Sequence, residues 1–157
     1  SNLGDNMTTF KITDELIEKI QQLIEQKQNK ELTTLLNDLH YADIAEIIHE
    51  LDIEEGVYII RLIDAEKTSD VLTELDDDYR ENILKNLSAK EIADEIIELD
   101  TDDAVDIISE LPEDRKTEVI SHITDVEHAK DIVELLRYDE DTAGGLMAKE
   151  LVKVNEN

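Results

Sequence analysis

The feature that most restricts this chain is a recurrence. Ala45-Glu46-Ile47-Ile48-His49-Glu50-Leu51-Asp52 returns as Ser69-Asp70-Val71-Leu72-Thr73-Glu74-Leu75-Asp76 and again as Ala93-Asp94-Glu95-Ile96-Ile97-Glu98-Leu99-Asp100, each step being 24 residues. Val119-Ile120-Ser121-His122-Ile123-Thr124 continues the series more weakly. Within each unit the apolar residues fall at i, i+3, i+4 and i+7, the spacing of one helix face. One helix per 12 residues and one helix pair per 24 is the pattern of a helical solenoid. Helices this short are marginal alone, so each must bury its stripe against its neighbours.

The same spacing marks every segment from Leu16 to Leu136. Leu16, Ile17, Ile20, Leu23 and Ile24 form a first helix, and Leu32, Leu35, Leu36 and Leu39 a second. Eight shorter stripes follow, centred on Ile47, Ile60, Leu72, Leu84, Ile96, Ile108, Ile120 and Val133. The expected fold is all-α, a right-handed superhelix of about ten short helices of the armadillo or HEAT kind. Ser88 with Glu91 and Thr124 with Glu127 fit capping boxes, Pro112 fits a first helical position, and Thr101 fits an N-cap. Residues 1–12 are expected to be a tag remnant and disordered leader, 13–138 the acidic helical-repeat domain, and 139–157 an exit segment.

Charge bounds the function. Lys and Arg number 15 against 42 Asp and Glu, a net charge of -27. On the roughly 8,000 Å² expected of a compact monomer, that is about one uncompensated negative charge per 300 Å². Such a surface repels nucleic acid and anionic membranes and attracts divalent cations or basic partners. There is no cysteine, hence no disulfide or thiolate site. No apolar run approaches the roughly 20 residues that span a membrane, so no direct membrane insertion is expected.

The densest acidic stretch is Asp100-Thr101-Asp102-Asp103-Ala104-Val105-Asp106. Asp102 and Asp106 are i, i+4 and share a helix face, with Asp103 beside them. Hard divalent cations take such oxygen ligands, and Mg²⁺ often uses one or two carboxylates plus waters. The competing explanation is that acids in a first turn are favoured by the helix dipole. Asp139, Asp141, Gly144 and Glu150 match four positions of a calcium loop, but Ala143 supplies no ligand where a fifth is needed. His40, His49, His122 and His128 have no paired metal-ligand spacing, and packing or surface roles are expected of His49 and His122. No phosphate-binding glycine loop or nucleophile arrangement is present, so nothing argues for an enzyme.

The ordered set of motifs resembles the N-terminal cytosolic domain of MgtE-type magnesium transporters. The resemblance runs over Thr13 to Val154 and rests on four motifs. These are Leu39-x-x-Ala42-Asp43-Ile44-Ala45, Glu74-Leu75-Asp76, Leu99-Asp100-Thr101-Asp102-Asp103-Ala104-Val105-Asp106, and Leu135-Leu136-x-Tyr138-x-Glu140-Asp141-Thr142-Ala143-Gly144-Gly145-Leu146-Met147. The last is the most specific. The resemblance implies that CBS modules and a transmembrane pore follow in the same polypeptide, with Leu151-Val152-Lys153-Val154 as the first CBS strand. It implies a homodimer in the full-length protein, on the cytoplasmic side of the cell membrane. It further implies that Mg²⁺ bridges carboxylates of this domain and the CBS modules, favouring a closed pore when Mg²⁺ is plentiful. Asp102 and Asp106 match the ligating positions, with Asp103 beside them, and Asp70 matches another acidic position at that interface. Mg²⁺ is expected to bind weakly to the isolated domain. The alternative is a non-catalytic helical-repeat scaffold for a basic protein partner, similar in architecture to the middle domain of the flagellar motor-switch protein.

Overall fold

The structure, a computed structural model, describes residues 11–143, and side chains up to 138. The predicted Leu151–Val154 strand, the Gly144-Gly145 helix end and the calcium-loop comparison lie outside those residues. Among the described residues there are ten α-helices and no strand. They are α1 (Asp14–Glu25), α2 (Asn29–Asn37), α3 (Tyr41–His49), α4 (Ile53–Leu62), α5 (Ala65–Glu74), α6 (Asp77–Lys85), α7 (Ala89–Ile96), α8 (Thr101–Ser109), α9 (Glu113–Ser121) and α10 (Val126–Ala143). The all-α class expected from periodicity is thus the one observed, and each predicted stripe falls on its own helix.

The chain divides into two compact units, Ser1–Leu87 and Ser88–Asn157. In the first, α3 packs on α5 and α4 on α6, while α1 packs on α2 and α4. Its core is aliphatic: Ile20, Leu32, Leu36, Ile44, Ile47, Ile48, Ile59, Ile60, Val71, Leu72, Ile83 and Leu84 are buried. In the second, α7 packs on α9 and α8 on α10, around Ile92, Ile96, Val105, Ile108, Val119 and Ile132. Stacking of alternate helices is what a 24-residue repeat of helix pairs demands, because each helix meets its repeat-mate one pair along.

A finer period sits inside that one. Leu51, Ile63, Leu75, Leu87, Leu99, Leu111 and Ile123 recur every twelfth residue, each just past a helix end and no more than 8% exposed. The corners need no glycine. Ile63 and Leu75 end their helices in extended conformation (ψ 163 and 148), and Asp64 and Asp76, also extended, begin the next. The one non-glycine residue with positive φ among those described is Lys27 (φ 54), after α1. There the Gln28 N–H donates to the Leu23 carbonyl at 2.9 Å and the Lys27 N–H to the Ile24 carbonyl at 3.1 Å. That pairing is a Schellman motif, with lysine where glycine is usual.

Helix starts partly match expectation. The Ser88–Glu91 capping box is present in full, and Asp52–Glu55 forms a second one on α4 that was not predicted. Thr101 lies inside α8, and the cap is Asp100, whose extended backbone carbonyl accepts from the Ala104 N–H at 3.0 Å. Pro112 stands one residue earlier than predicted, at the cap of α9. Thr124 is displaced by Asp125, whose carboxylate accepts from the His128 N–H at 3.2 Å. Aspartate accepts at a cap at least as well as threonine, so the box with Glu127 does not form.

In the first unit, helix ends are closed by side chains from other helices. Lys67 Nζ donates to the carbonyls of Asn37 (2.9 Å) and Leu39 (3.0 Å). The Tyr79 hydroxyl donates to the Leu51 carbonyl at 2.7 Å. Arg80 donates to the carbonyls of Leu72 (3.1 Å) and Leu75 (2.9 Å), and Arg61 to that of Asn86 (3.1 Å). The last carbonyls of a helix lack partners within it, and each contact supplies one.

Candidate metal site

Helical periodicity itself produces the acidic face of α8. Ala104, Val105, Ile107 and Ile108 are 0–2% exposed and face the core. Asp102, Asp103 and Asp106, out of phase with that stripe, are exposed. Asp102 and Asp103 occupy the first turn, where the positive end of the helix dipole favours a carboxylate, and Asp106 follows one turn on. Among the described residues no three His, Asp or Glu side chains converge as a group able to hold a metal ion. The face therefore offers carboxylate oxygens of the kind hard cations prefer, with the remaining ligands to come from water or another surface.

Asp70 belongs to the other unit. It is exposed on α5, next to the buried Thr68 and Ser69, and its carbonyl accepts from the Thr73 hydroxyl at 2.7 Å. It lines a cleft of about 360 Å³ with Asn37, Tyr41, Asp64, Glu66 and Lys67. Asp64 and Glu66 had not been singled out, although Glu66 and Asp70 carry the i, i+4 spacing that puts two carboxylates on one face. The cation in that cleft, Lys67, turns its ammonium toward the Asn37 and Leu39 carbonyls.

Several cations of this acidic chain are engaged internally. Arg61, Lys67 and Arg80 close helix ends, while Lys116 pairs with Glu113 at 3.0 Å and Lys90 with Asp94 at 3.0 Å. With 15 Lys and Arg against 42 Asp and Glu, carboxylates remain in excess even where such pairs form. Glu95 on α7 shows the crowding. Burial, then the charges of Asp94, Glu91 and Glu98, push its carboxyl up to about 7. The i, i+3, i+4, i+7 run of acids 91, 94, 95 and 98 was visible in the sequence, but its partial burial was not.

The histidines have structural roles in the first unit. His40 Nδ1 accepts from the Ala42 N–H at 3.1 Å and caps α3, and His49 Nε2 accepts from the Asp76 N–H at 3.1 Å.

No helix among the described residues is long and apolar enough to cross a membrane. No curated protein matches the sequence. A solved structure described as the soluble part of a magnesium transporter matches with a TM-score of 0.68 at 23% identity, covering 80% of this chain and 49% of that one. The chain thus spans about half the length of that structure, and at this identity the likeness is one of fold. The profile of the family described as the MgtE intracellular N domain matches residues 39–141, from the turn before α3 into the last helix. This chain belongs to the MgtE intracellular N domain family.

Proposed function

We propose that residues 13–138 form the Mg²⁺-sensing regulatory domain of a magnesium transporter, and that the domain acts without catalysing a reaction. The observation that carries this reading is the exposed carboxylate face of α8, set against a fully buried stripe, in a chain of this family. In this reading Asp102 and Asp106, with Asp103 beside them and Asp70 on α5, give oxygen ligands to Mg²⁺. CBS modules of the same polypeptide supply the rest, on the cytoplasmic side of the membrane, in a homodimer whose pore lies beyond. Bound Mg²⁺ offsets the repulsion between acidic surfaces and favours the compact arrangement and the closed pore. As Mg²⁺ falls the surfaces repel and the equilibrium moves the other way. Mg²⁺ can shift it only by as much as it prefers the compact state.

The test compares thermal stability in MgCl₂ and in NaCl of matched ionic strength. A site filled at ten times its dissociation constant adds about 1.4 kcal/mol beyond screening. The expected result is an excess stabilisation by Mg²⁺ that shrinks in the double variant Asp102→Ala, Asp106→Ala. Equal shifts from the two salts would sink the reading for the isolated chain.

A further inference from the structure

His49, the last residue of α3, stands between two unlike surroundings. On one side its Nε2 accepts the Asp76 N–H at 3.1 Å, and a carboxylate oxygen of the same Asp76 lies 3.8 Å from that nitrogen. Its ring and that of Tyr79 meet edge to face, with centroids 5.5 Å apart. On the other side it lines a cleft of about 400 Å³ with Asp14 and Ile17 of α1 and Glu46 and Glu50 nearby. A ring nitrogen that accepts a hydrogen bond carries no proton, so this imidazole is neutral, with its proton on Nδ1.

We propose that His49 is a proton-operated latch on the corner between α5 and α6. Asp76 is the N-cap residue of α6, and its N–H is fixed by His49. The other side of the same corner is fixed by Arg80, which donates to the Leu72 and Leu75 carbonyls. Protonation turns Nε2 from acceptor to donor. Two donors then face each other, the Asp76 amide loses its partner, and the Asp76 carboxylate becomes the natural mate of the imidazolium.

The surroundings set up this exchange. Asp14 from α1, Glu46 and Glu50 from the α3 segment and Asp76 at the head of α6 are the carboxylates around the ring, beside the carbonyls ending α3. Asp52 and Glu55 of α4 act on the neighbouring Tyr79. Among the described residues no lysine or arginine lines the cleft, and Arg80 is paired with Asp77 at 2.7 Å. The neutral ring is held by the Asp76 N–H and packs edge to face with Tyr79. The latch is independent of the Mg²⁺ reading and uses none of its carboxylates.

The experiment is ¹H–¹⁵N NMR on the full 157-residue chain at pH 8 and pH 5, values that bracket the ordinary titration of imidazoles. At pH 8 the His49 ring should carry its proton on Nδ1. On acidification the protection of the Asp76 amide, corrected for intrinsic exchange, should fall roughly three- to tenfold, the worth of one net hydrogen bond. In His49→Gln that step should vanish. A proton on Nε2 at pH 8, an unchanged Asp76 amide in the wild-type chain, or the same step in His49→Gln would each overturn the latch. The wild-type readings decide it even if the variant fails to fold.

Discussion

The Tyr79 hydroxyl lies 3.1 Å from where a Cβ on Gly56 would sit, so a helix-interior glycine is the seat of a tertiary hydrogen bond. The same point is 3.1 Å from Ile83 Cδ1 and 3.2 Å from Ile48 Cγ2. Ile48 and Ile83 are fully buried, and Tyr79 is pinned to the Leu51 carbonyl at 2.7 Å, so none of the three can yield freely. Gly56→Ala should gain about 1 kcal/mol of helix propensity and lose about 1–3 kcal/mol to overpacking. A net destabilisation of about 1 kcal/mol is expected in urea unfolding, and a more stable variant would show that α4 and α6 separate easily.

Lys27 departs from the local rule in the opposite sense. Its φ of 54 places a β-carbon in the left-handed region at the end of α1. Lys27→Gly should remove a conformational cost of about 1 kcal/mol, while retaining the two backbone bonds of the motif. A rise of several degrees in melting temperature is the expected reading. No rise would mean that the freedom glycine gains in the unfolded chain cancels the relief.

Lys67 ties the end of α2 to α5 through two carbonyls. Lys67→Met keeps the aliphatic stem and removes the ammonium, leaving the Asn37 and Leu39 carbonyls to find water. A loss of about 1–2 kcal/mol follows if they are poorly solvated. Amide exchange should localise the loosening to the α2–α3 turn, and uniform loosening of the first unit would argue against a local clasp.

Glu95 makes stability depend on pH in a direction opposite to most carboxylates. Burial and neighbouring acids push its folded-state carboxyl up to about 7 from the ordinary 4.5, so between these the folded state holds more protons than the unfolded one. Stability therefore falls as pH rises through that window, and the loss is complete above it. Solvent screening at a partly exposed side chain reduces the full linkage to about 1 kcal/mol. Glu95→Gln should be more stable than the parent at pH 8 and lose that advantage near pH 4. Parallel stability curves for the two chains across that range would refute the assignment.

Much of this architecture is legible in the sequence. The i, i+3, i+4 stripes located all ten helices of the described residues, and the phase of Ala104, Val105 and Ile108 placed Asp102, Asp103 and Asp106 in solvent. Caps were less secure. Asp100 and Asp125 took positions that Thr101 and Thr124 had been expected to hold, because neighbouring residues with similar cap strength differ by less than the packing that sets the helix start.

Helical phase is a local property, read from each segment's own residues, and the sequence by itself determined it: the helices, their buried stripes and their acidic outer faces. The partners across helices are another matter. His49 meets Asp76, Tyr79 meets Leu51, Lys67 meets Asn37 and Arg61 meets Asn86 over separations of 25 to 30 residues, close to one repeat. The period announces that reach but not which side chain completes which helix end. Only the stacking of α3 on α5 and α4 on α6 decided that, because a hydrogen bond needs its two atoms within about 3 Å and a repeat in sequence places them only to within a turn of helix. In the second unit, packing likewise decided that Glu95 on α7 would be drawn partly out of water while Asp94 and Glu98 stayed exposed.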